Sequence, residues 1–349
     1  MTRRFLHAAD LHLDSPFDLD RALSEEERTA SRLALERLVD VAVREQVDLV
    51  VFAGDVFDTS HVDQATAAFW LGQLERLCAQ APVVMVAGNH DAGNALFRDA
   101  TLPPGATRLA SHAPERRVFH HLDIEVFGQG LSSTTPGGPD LAAGFPAADP
   151  DLFTIGLLHT SLDGREGYRV FAPTRVEALR ERRYDYWALG HVHQREEVGR
   201  GDPWIVYPGS LQGRGILETG PKGATLVTVE GREVAGVRAL ELDPIRWTRC
   251  RIDLGGGLAG LDDVPGRIEA ALAHAVAEAR GAREFSDRLV LAHVELACPD
   301  DLREECSRRN AEFTREARAI ADRWGGLRVE RVVVDRCERV DRDPLAQPR

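Results

Sequence analysis

Lysine is almost absent from this chain of 349 residues, because Lys222 is the only lysine among 43 basic side chains. The 56 acidic residues outnumber the basic ones and give a formal net charge of −13. Affinity for chains of phosphate comes from clustered Lys and Arg, so this balance excludes an indiscriminate polybasic nucleic-acid binder. It does not exclude an enzyme whose phosphate-binding cations are metal ions.

Cysteine is also scarce, since the chain has five, widely spaced and without a CxxC pair. An odd number in this arrangement argues against a disulfide framework and against a zinc site built from cysteines. The first residues lead into no apolar run of signal-peptide length. No stretch reaches the roughly 18 apolar residues of a membrane span. We therefore expect a reduced, cytoplasmic location away from membranes.

Short apolar runs alternate with helical patterns along the first two thirds of the chain, which predicts an α/β fold. The predicted strands are residues 4–8, 49–53, 83–87, 124–127, 153–158 and 186–189. Helices are predicted over residues 24–46, 64–80 and 173–183. Ser24 with Glu27 has the spacing of a capping box, which places the start of the first helix.

The pattern changes after Gly190. Residues 204–207, 224–230 and 233–242 are predicted to be consecutive strands of a β-meander that closes the first domain. We place the boundary near Asp243 and Pro244, which gives one domain over residues 1–244 and another over 245–349. The second shows a strand, helix, strand, helix, strand order, at residues 248–254, 264–280, 288–297, 301–324 and 327–335. This order predicts a small C-terminal α+β domain.

Five polar motifs come at or just after predicted strands. They are Asp10-Leu11-His12, Gly54-Asp55-Val56-Phe57-Asp58, Gly88-Asn89-His90-Asp91, the lone His159, and Gly190-His191-Val192-His193. Ligands of open α/β sheets bind beyond the carboxyl ends of the strands, so we expect these motifs to meet at one edge. Imidazole, carboxylate and amide groups suit manganese, iron or zinc. Seven such groups are too many for one ion but suit two, bridged by a carboxylate.

As a set, the motifs resemble those of the calcineurin-like metallophosphoesterase superfamily. The segment from Phe5 to Phe17, together with Tyr207-Pro208-Gly209-Ser210, resembles the DNA-repair exonuclease branch, that is, the SbcD-like and YhaO-type nucleases. The resemblance extends over roughly residues 4–240. It implies a two-sheet sandwich flanked by helices, with the C-terminal domain in the position of a cap.

The resemblance also implies a site with two divalent ions, and manganese is the metal expected from it. One ion would be held by Asp10, His12, Asp55 and His193. The other would be held by Asp55, Asn89, His159 and His191. A hydroxide shared by the two ions would be the nucleophile. His90 would stand beside the scissile phosphate as a catalytic residue, with Asp58 orienting its ring.

The activity implied by the resemblance is that of a two-metal DNA phosphodiesterase in DNA repair, an exonuclease that could also cut internally. It implies a homodimer that works with an SMC-like ATPase. Two alternatives stay open, namely a cyclic-nucleotide phosphodiesterase of the same superfamily and a scaffold that binds DNA or an ATPase without cleaving. A protein phosphatase is disfavoured, because those enzymes carry Glu where Asp91 follows Asn89-His90.

Several polar residues near the motifs have two interpretations. His61 is either a substrate contact or an exposed loop residue. Ser210 either lines the cleft and contacts substrate or belongs to an ordinary strand turn. Asp91 is expected to cap the helix after Asn89. His7 is expected to pack inside as a strand residue.

Overall fold

The computed structural model describes residues 1–336, apart from 20, 59–61, 164–168, 256–259, 281–284 and 286. The chain divides into two compact units, Met1–Pro244 and Ile245–Arg349. The first unit contains two six-stranded sheets, and the second contains one three-stranded sheet. Each unit is described by itself below.

Twelve strands build the sheets of the first unit in the described part of the chain. In chain order they are β1 (Thr2–Ala8), β2 (Leu49–Phe52), β3 (Val83–Met85), β4 (Ala106–Arg108), β5 (Glu115–Phe119), β6 (Ile124–Gln129), β7 (Phe153–His159), β8 (Tyr186–Gly190), β9 (Glu196–Gly199), β10 (Trp204–Tyr207), β11 (Gly223–Glu230) and β12 (Glu233–Glu241). The six strands predicted before Gly190 are all present, with ends that differ by at most two residues.

The two sheets of the first unit are both mixed. The first has the order β12-β11-β1-β2-β3-β4, and β1 to β4 run parallel. The second has the order β5-β6-β7-β8-β10-β9, and β6, β7, β8 and β10 run parallel. Buried side chains of both sheets share one core, in which Phe5 and Val51 of the first sheet pack with Ile155 and Tyr186 of the second. The predicted two-sheet sandwich is therefore confirmed.

Five helices accompany these sheets in the described part of the unit, namely α1 (Glu25–Arg44), α2 (Gln64–Gln80), α3 (Asn89–Ala92), α4 (Ala95–Arg98) and α5 (Val176–Glu181). Ser24 caps α1, and the reciprocal hydrogen bonds with Glu27 confirm the predicted capping box. On α2, Trp70 packs edge-on against Phe52 of β2, with ring centroids 5.3 Å apart. Beside the second sheet, the indole of Trp187 donates to the carbonyl of Leu179 in α5.

The predicted β-meander is correct for β11 and β12, which form an antiparallel hairpin, but wrong for β10, which lies in the other sheet. β10 pairs with β8 and β9 in the second sheet, whereas β11 pairs with β1 in the first. Residues 208–222 carry the chain from one sheet to the other. Alternating apolar residues identify strands but do not identify the strands they pair with. The prediction assumed that strands close in sequence are paired, and this assumption failed for β10 and β11.

The second unit contains β13 (Ile245–Asp253), α6 (Val264–Arg280), β14 (Leu289–Cys298), α7 (Arg303–Trp324) and β15 (Leu327–Arg336). This order agrees with the one predicted from the sequence. The three strands run parallel, and the helices form the crossovers between them. Ile268 of α6, Val294 of β14 and Phe313 of α7 lie in its buried core.

The described helices include none that is long and apolar enough to cross a membrane. Four cysteines lie in the described part of the chain and are free thiols, namely Cys78, Cys250, Cys298 and Cys306. The fifth, Cys337, lies outside the described residues.

Candidate metal centre

The five motifs meet beyond the carboxyl ends of β1, β2, β3, β7 and β8. Backbone hydrogen bonds join the loops after β1 and β2: the amide of Asp10 donates to the carbonyl of Gly54 at 3.0 Å. The amide of His12 donates to the carbonyl of Asp55 at 3.1 Å. The loop after β8 joins them, since the amide of His191 donates to the carboxylate of Asp10 at 3.0 Å. Residues far apart in sequence are thus held in one pocket.

Four of these polar residues have a positive φ, which is uncommon outside glycine. The angles are 52° at Asp10, 43° at His12, 53° at Asp55 and 105° at His191. Such conformations cost about 1–3 kcal/mol each and persist only where the surrounding structure imposes them. Here the strained backbone directs side chains from three different loops into the same pocket.

Two glycines make the close approach of these loops feasible. A Cβ atom at Gly88 would lie 2.1 Å from a carboxylate oxygen of Asp55. One at Gly190 would lie 2.0 Å from the carbonyl oxygen of Ala53. Both distances are far below contact distance, so only glycine fits at these two positions without a backbone shift.

A first cluster of donor atoms comes from Asp10, His12 and His193. The Nε2 atoms of His12 and His193 face each other at 3.2 Å. The Nε2 atom of His193 lies 3.8 Å from a carboxylate oxygen of Asp10, and that of His12 lies 3.9 Å from a carboxylate oxygen of Asp55. These four side chains are the set expected for the first ion.

A second cluster surrounds His159. Its Nδ1 donates to the carbonyl of Ala53 at 2.8 Å, which leaves the lone pair on Nε2. That Nε2 lies 3.0 Å from the side-chain oxygen of Asn89 and 3.4 Å from a carboxylate oxygen of Asp55. The ring of His191 lies beside His159, with centroids 5.2 Å apart. Asp55 therefore contacts both clusters, as a bridging carboxylate must.

Burial governs the charges of this pocket. Asp10 has a pKa raised well above its ordinary value, by burial first and by the charge of Asp55 second. Burial likewise raises the pKa of Asp55 to about 6, although the charge of His90 opposes it. Burial lowers the pKa of both His159 and His191 to about 3, so these imidazoles are neutral. Crowded carboxylates and neutral imidazoles together fit divalent metal ions, which would supply the missing positive charge.

His90 lies at the edge of the pocket and is one-third exposed. Its Nδ1 is 3.7 Å from a carboxylate oxygen of Asp58, and its ring packs edge-on against His12 with centroids 5.0 Å apart. Burial alone would lower the pKa of His90, but the nearby carboxylate of Asp58 and the charge of Asp55 raise it. A protonated imidazole at this edge can donate a proton.

Two residues of this pocket were missed by sequence reasoning, because they belong to the loop at 208–222 and to no motif. Glu218 accepts a hydrogen bond from Nδ1 of His193 at 2.6 Å, which orients the ring so that Nε2 faces the first cluster. Arg214 lies between Asp58 and Glu218, at 3.4 Å and 3.5 Å. The only signal in the sequence was the position of both residues shortly after Tyr207-Pro208-Gly209-Ser210.

Asp91 and Ser210 hold the loops of the pocket. Asp91 is fully buried and accepts hydrogen bonds from the amides of Val56, Phe57 and Gly88, so it joins the loop after β2 to the start of α3. Ser210 has no exposed surface, and its amide donates to the carbonyl of His193 at 3.0 Å. Ser210 therefore helps to hold the loop of His193, and a contact of Ser210 with substrate stays a prediction.

Two other histidines have sequence positions close to the motifs. His7 is fully buried, as expected, and its ring nitrogens lie 3.0 Å from the hydroxyl of Tyr186 and 3.1 Å from the carbonyl of Leu189. It packs between the sheets and is separate from the two clusters. His61 lies outside the described residues.

A family model described as calcineurin-like phosphoesterase matches residues 3–195, which include every residue of the five motifs. The chain belongs to the calcineurin-like phosphoesterase family. It is a metallophosphoesterase whose donor set suits two divalent metal ions. The family assigns it to the hydrolases of phosphate esters.

Curated relatives within this family include proteins of the nuclease branch. The uncharacterized metallophosphoesterase YhaO of Bacillus subtilis is 31% identical over 259 residues, which cover 72% of this chain and 63% of that protein. A component of the nuclease SbcCD of Staphylococcus epidermidis is 22% identical over 70% of each chain. The DNA double-strand break repair protein Mre11 of Methanosarcina mazei is 27% identical over 65% of this chain and 36% of that protein. These homologues support the resemblance to the exonuclease branch, although the chain spans less than two thirds of YhaO.

Proposed function

We propose that this metallophosphoesterase is a two-metal-dependent DNA phosphodiesterase, an exonuclease of DNA repair that could also cut internally. The observation that carries the proposal is the position of Asp55, which contacts His12 of one donor cluster and His159 of the other. Relatives named as nuclease and break-repair proteins support DNA as the substrate.

The side chains divide into two overlapping ligand sets. The first ion would be held by Asp10, His12, Asp55 and His193, and the second by Asp55, Asn89, His159 and His191. Bound divalent cations, which we expect to be manganese, would activate water for attack on phosphorus and neutralise the phosphate charge. The buried ligands contribute fixed positions, because their loops are joined through backbone hydrogen bonds.

His90 is the residue we assign to proton transfer. Its raised pKa favours the charged imidazolium, which can stabilise a phosphate oxygen or protonate the leaving oxygen. Asp58 positions that ring, and Asp58 is itself held by the hydroxyl of Ser15 at 3.0 Å. This edge of the pocket thus places an acid, His90, beside the metal ligands.

The test is an assay on end-labelled blunt, overhung and hairpin DNA, with manganese, magnesium or a chelator. We expect manganese-dependent shortening from the ends by wild type and none by Asp55→Asn. Cyclic nucleotide and phosphopeptide are included as competing substrates. Cleavage of cyclic nucleotide alone would assign the chain to another phosphodiesterase class, and DNA binding without any cleavage would assign it to the scaffolds.

The partners of the protein are part of the same proposal. A net charge of −13 gives this chain little general affinity for DNA, so we propose that a homodimer binds DNA together with an SMC-like ATPase. Gel-shift of DNA by the chain alone, compared with the chain plus such an ATPase, tests this. Equal retardation with and without the ATPase would contradict it.

A further inference from the structure

The loop at 208–222 brings a permanent cation to the rim of the metal centre. Its backbone is fixed on both sides: the amide of Leu211 donates to the carbonyl of Asp10 at 3.3 Å. The carbonyl of Arg214 accepts from the amide of Asp18 at 2.8 Å. The position of Arg214 is therefore set by the same segments that carry the metal ligands.

The guanidinium of Arg214 lies between two carboxylates that each contact a functional histidine. Asp58, 3.4 Å away, is the carboxylate beside His90. Glu218, 3.5 Å away, is the carboxylate that accepts from His193. The guanidinium of Arg214 thus lies between the carboxylate beside His90 and the carboxylate that supports His193.

The side chain of Arg214 is 22% exposed, so solvent, and hence a substrate, reaches it.

The contacts of Arg214 are looser than those of a guanidinium fixed for structure alone. Charge-assisted bonds between arginine and a carboxylate are typically about 2.7–2.9 Å long. Arg32 makes such a structural pair with Asp14, at 2.5–3.1 Å through three contacts. The backbone amide of Arg214 donates to Glu218 at 2.9 Å, but each of the two carboxylate contacts of its guanidinium uses a single terminal nitrogen at 3.4 Å or more. A planar group with five donors then has the capacity to bind phosphate oxygens.

We propose that Arg214 forms an anion subsite that binds the non-bridging oxygens of the phosphate group placed between His90 and the first donor cluster. The proposal rests on the proposed function of the site as a phosphodiesterase. It makes Arg214 a substrate contact, whereas Asp58 and Glu218 hold its guanidinium in place. The ligand class is a phosphate monoester or diester anion, whatever the group attached to it.

Calorimetry with two probes separates binding of substrate from support of the ligands. Manganese is titrated first, and inorganic phosphate is then titrated into the manganese-loaded protein. The variants are Arg214→Gln and Arg214→Lys. The matched control is Arg200→Gln, because Arg200 is 74% exposed and pairs with Glu197, so it loses the same charge outside the pocket.

We expect Arg214→Gln to keep its manganese affinity within about threefold while its phosphate affinity falls roughly 10-fold or more, as loss of a charged hydrogen bond predicts. Arg214→Lys should retain part of that affinity, since it keeps the charge without the planar fork. Arg200→Gln should match wild type for both probes.

Three results would overturn the subsite. They are wild-type phosphate affinity in Arg214→Gln, equal losses of manganese and phosphate affinity in that variant, and absence of phosphate binding by wild type. The second result would show that Arg214 only supports the ligands. None of these measurements uses DNA, so a wild type that binds phosphate but leaves DNA intact would contradict the proposed nuclease activity and leave the subsite standing.

Discussion

His12 and His193 face each other through their Nε2 atoms at a distance of 3.2 Å. Glu218 accepts a hydrogen bond from Nδ1 of His193 at 2.6 Å, which fixes the orientation of that ring. Burial first, and then nearby positive charges, lower the pKa of His12 well below its usual value, so that ring is neutral. Two imidazole nitrogens that face each other beside buried carboxylates form a site that a bound cation would stabilise.

The first prediction follows from this arrangement. Manganese at about 100 times its dissociation constant should stabilise the protein by about 2.7 kcal/mol. For a unit of this size the thermal midpoint should rise by roughly 5–10 °C. Asp55→Asn should lose most of that rise because both clusters share Asp55. Differential scanning fluorimetry with and without a chelator measures the shift, and Asp151→Asn, an exposed aspartate, is the control. An undiminished rise in Asp55→Asn would show that the ions bind elsewhere.

The second prediction concerns His90. His90→Gln should reduce turnover of a phosphodiester by about 10²–10⁴-fold, the usual contribution of a positioned acid. Its manganese affinity should stay near wild type, because the ring of His90 lies at the edge of the donor clusters. Turnover of bis(p-nitrophenyl) phosphate and calorimetry with manganese measure the two effects. Equal activity of His90→Gln and wild type would remove His90 from the mechanism.

The third prediction tests the close approach of the loops. Gly190→Ala should lower the free energy of unfolding by about 1–3 kcal/mol, because the new methyl group overlaps the carbonyl of Ala53. Gly236→Ala is the matched control, since a Cβ atom there would meet nothing within 4 Å. Urea denaturation with a chelator present compares the two without any contribution from bound metal. Equal midpoints for the two variants would show that the Gly190 loop can move aside.

The fourth prediction concerns pH and His7. Burial lowers the pKa of His7 to about 3, below its value of 6.5 in an unfolded chain, so the unfolded state binds the extra proton as the pH falls. The contribution of neutral, buried His7 to the free energy of unfolding is complete above pH 6.5 and is lost progressively towards pH 3. By pH 5 the loss amounts to about 2 kcal/mol. His7→Gln should show a correspondingly shallower loss of stability between pH 6.5 and pH 5.

Denaturant titrations at several pH values measure that slope for His7→Gln and wild type. The variant His112→Gln, which removes an exposed imidazole, gives the comparison for a surface histidine. The slope is the informative quantity, because a buried glutamine lowers stability at every pH. Parallel slopes for wild type and His7→Gln would mean that His7 takes up its proton without unfolding.

The sequence was sufficient to predict the parts of the fold with strong local signals. The capping box at Ser24 and the apolar runs before the motifs located the first helix and the central strands. Pairing was not predictable where it depends on distant partners: β11 joins β1 through contacts across more than two hundred residues. The edge strands β4, β5 and β9 were also missed, because they are short and only partly buried.

The candidate site shows the same division. Asp10, Asp55 and His159 lie at strand ends, where residue type and position together indicate a ligand. Arg214 and Glu218 lie in an irregular loop that no periodicity describes, and they matter only because that loop folds back over the pocket. The two interpretations of Ser210 could not be separated from the sequence, because sequence does not show that a small residue in a turn is buried.

The left-handed backbone at Asp10, His12 and Asp55 has a consequence for any attempt to improve this protein. Glycine adopts such angles without steric cost, so selection for thermal stability alone would favour glycine at these turns. Directed evolution that selects for thermal stability alone would therefore replace these side chains and lose the metal-binding site while the fold remains. Activity and stability place opposite demands on the residue type at these three positions.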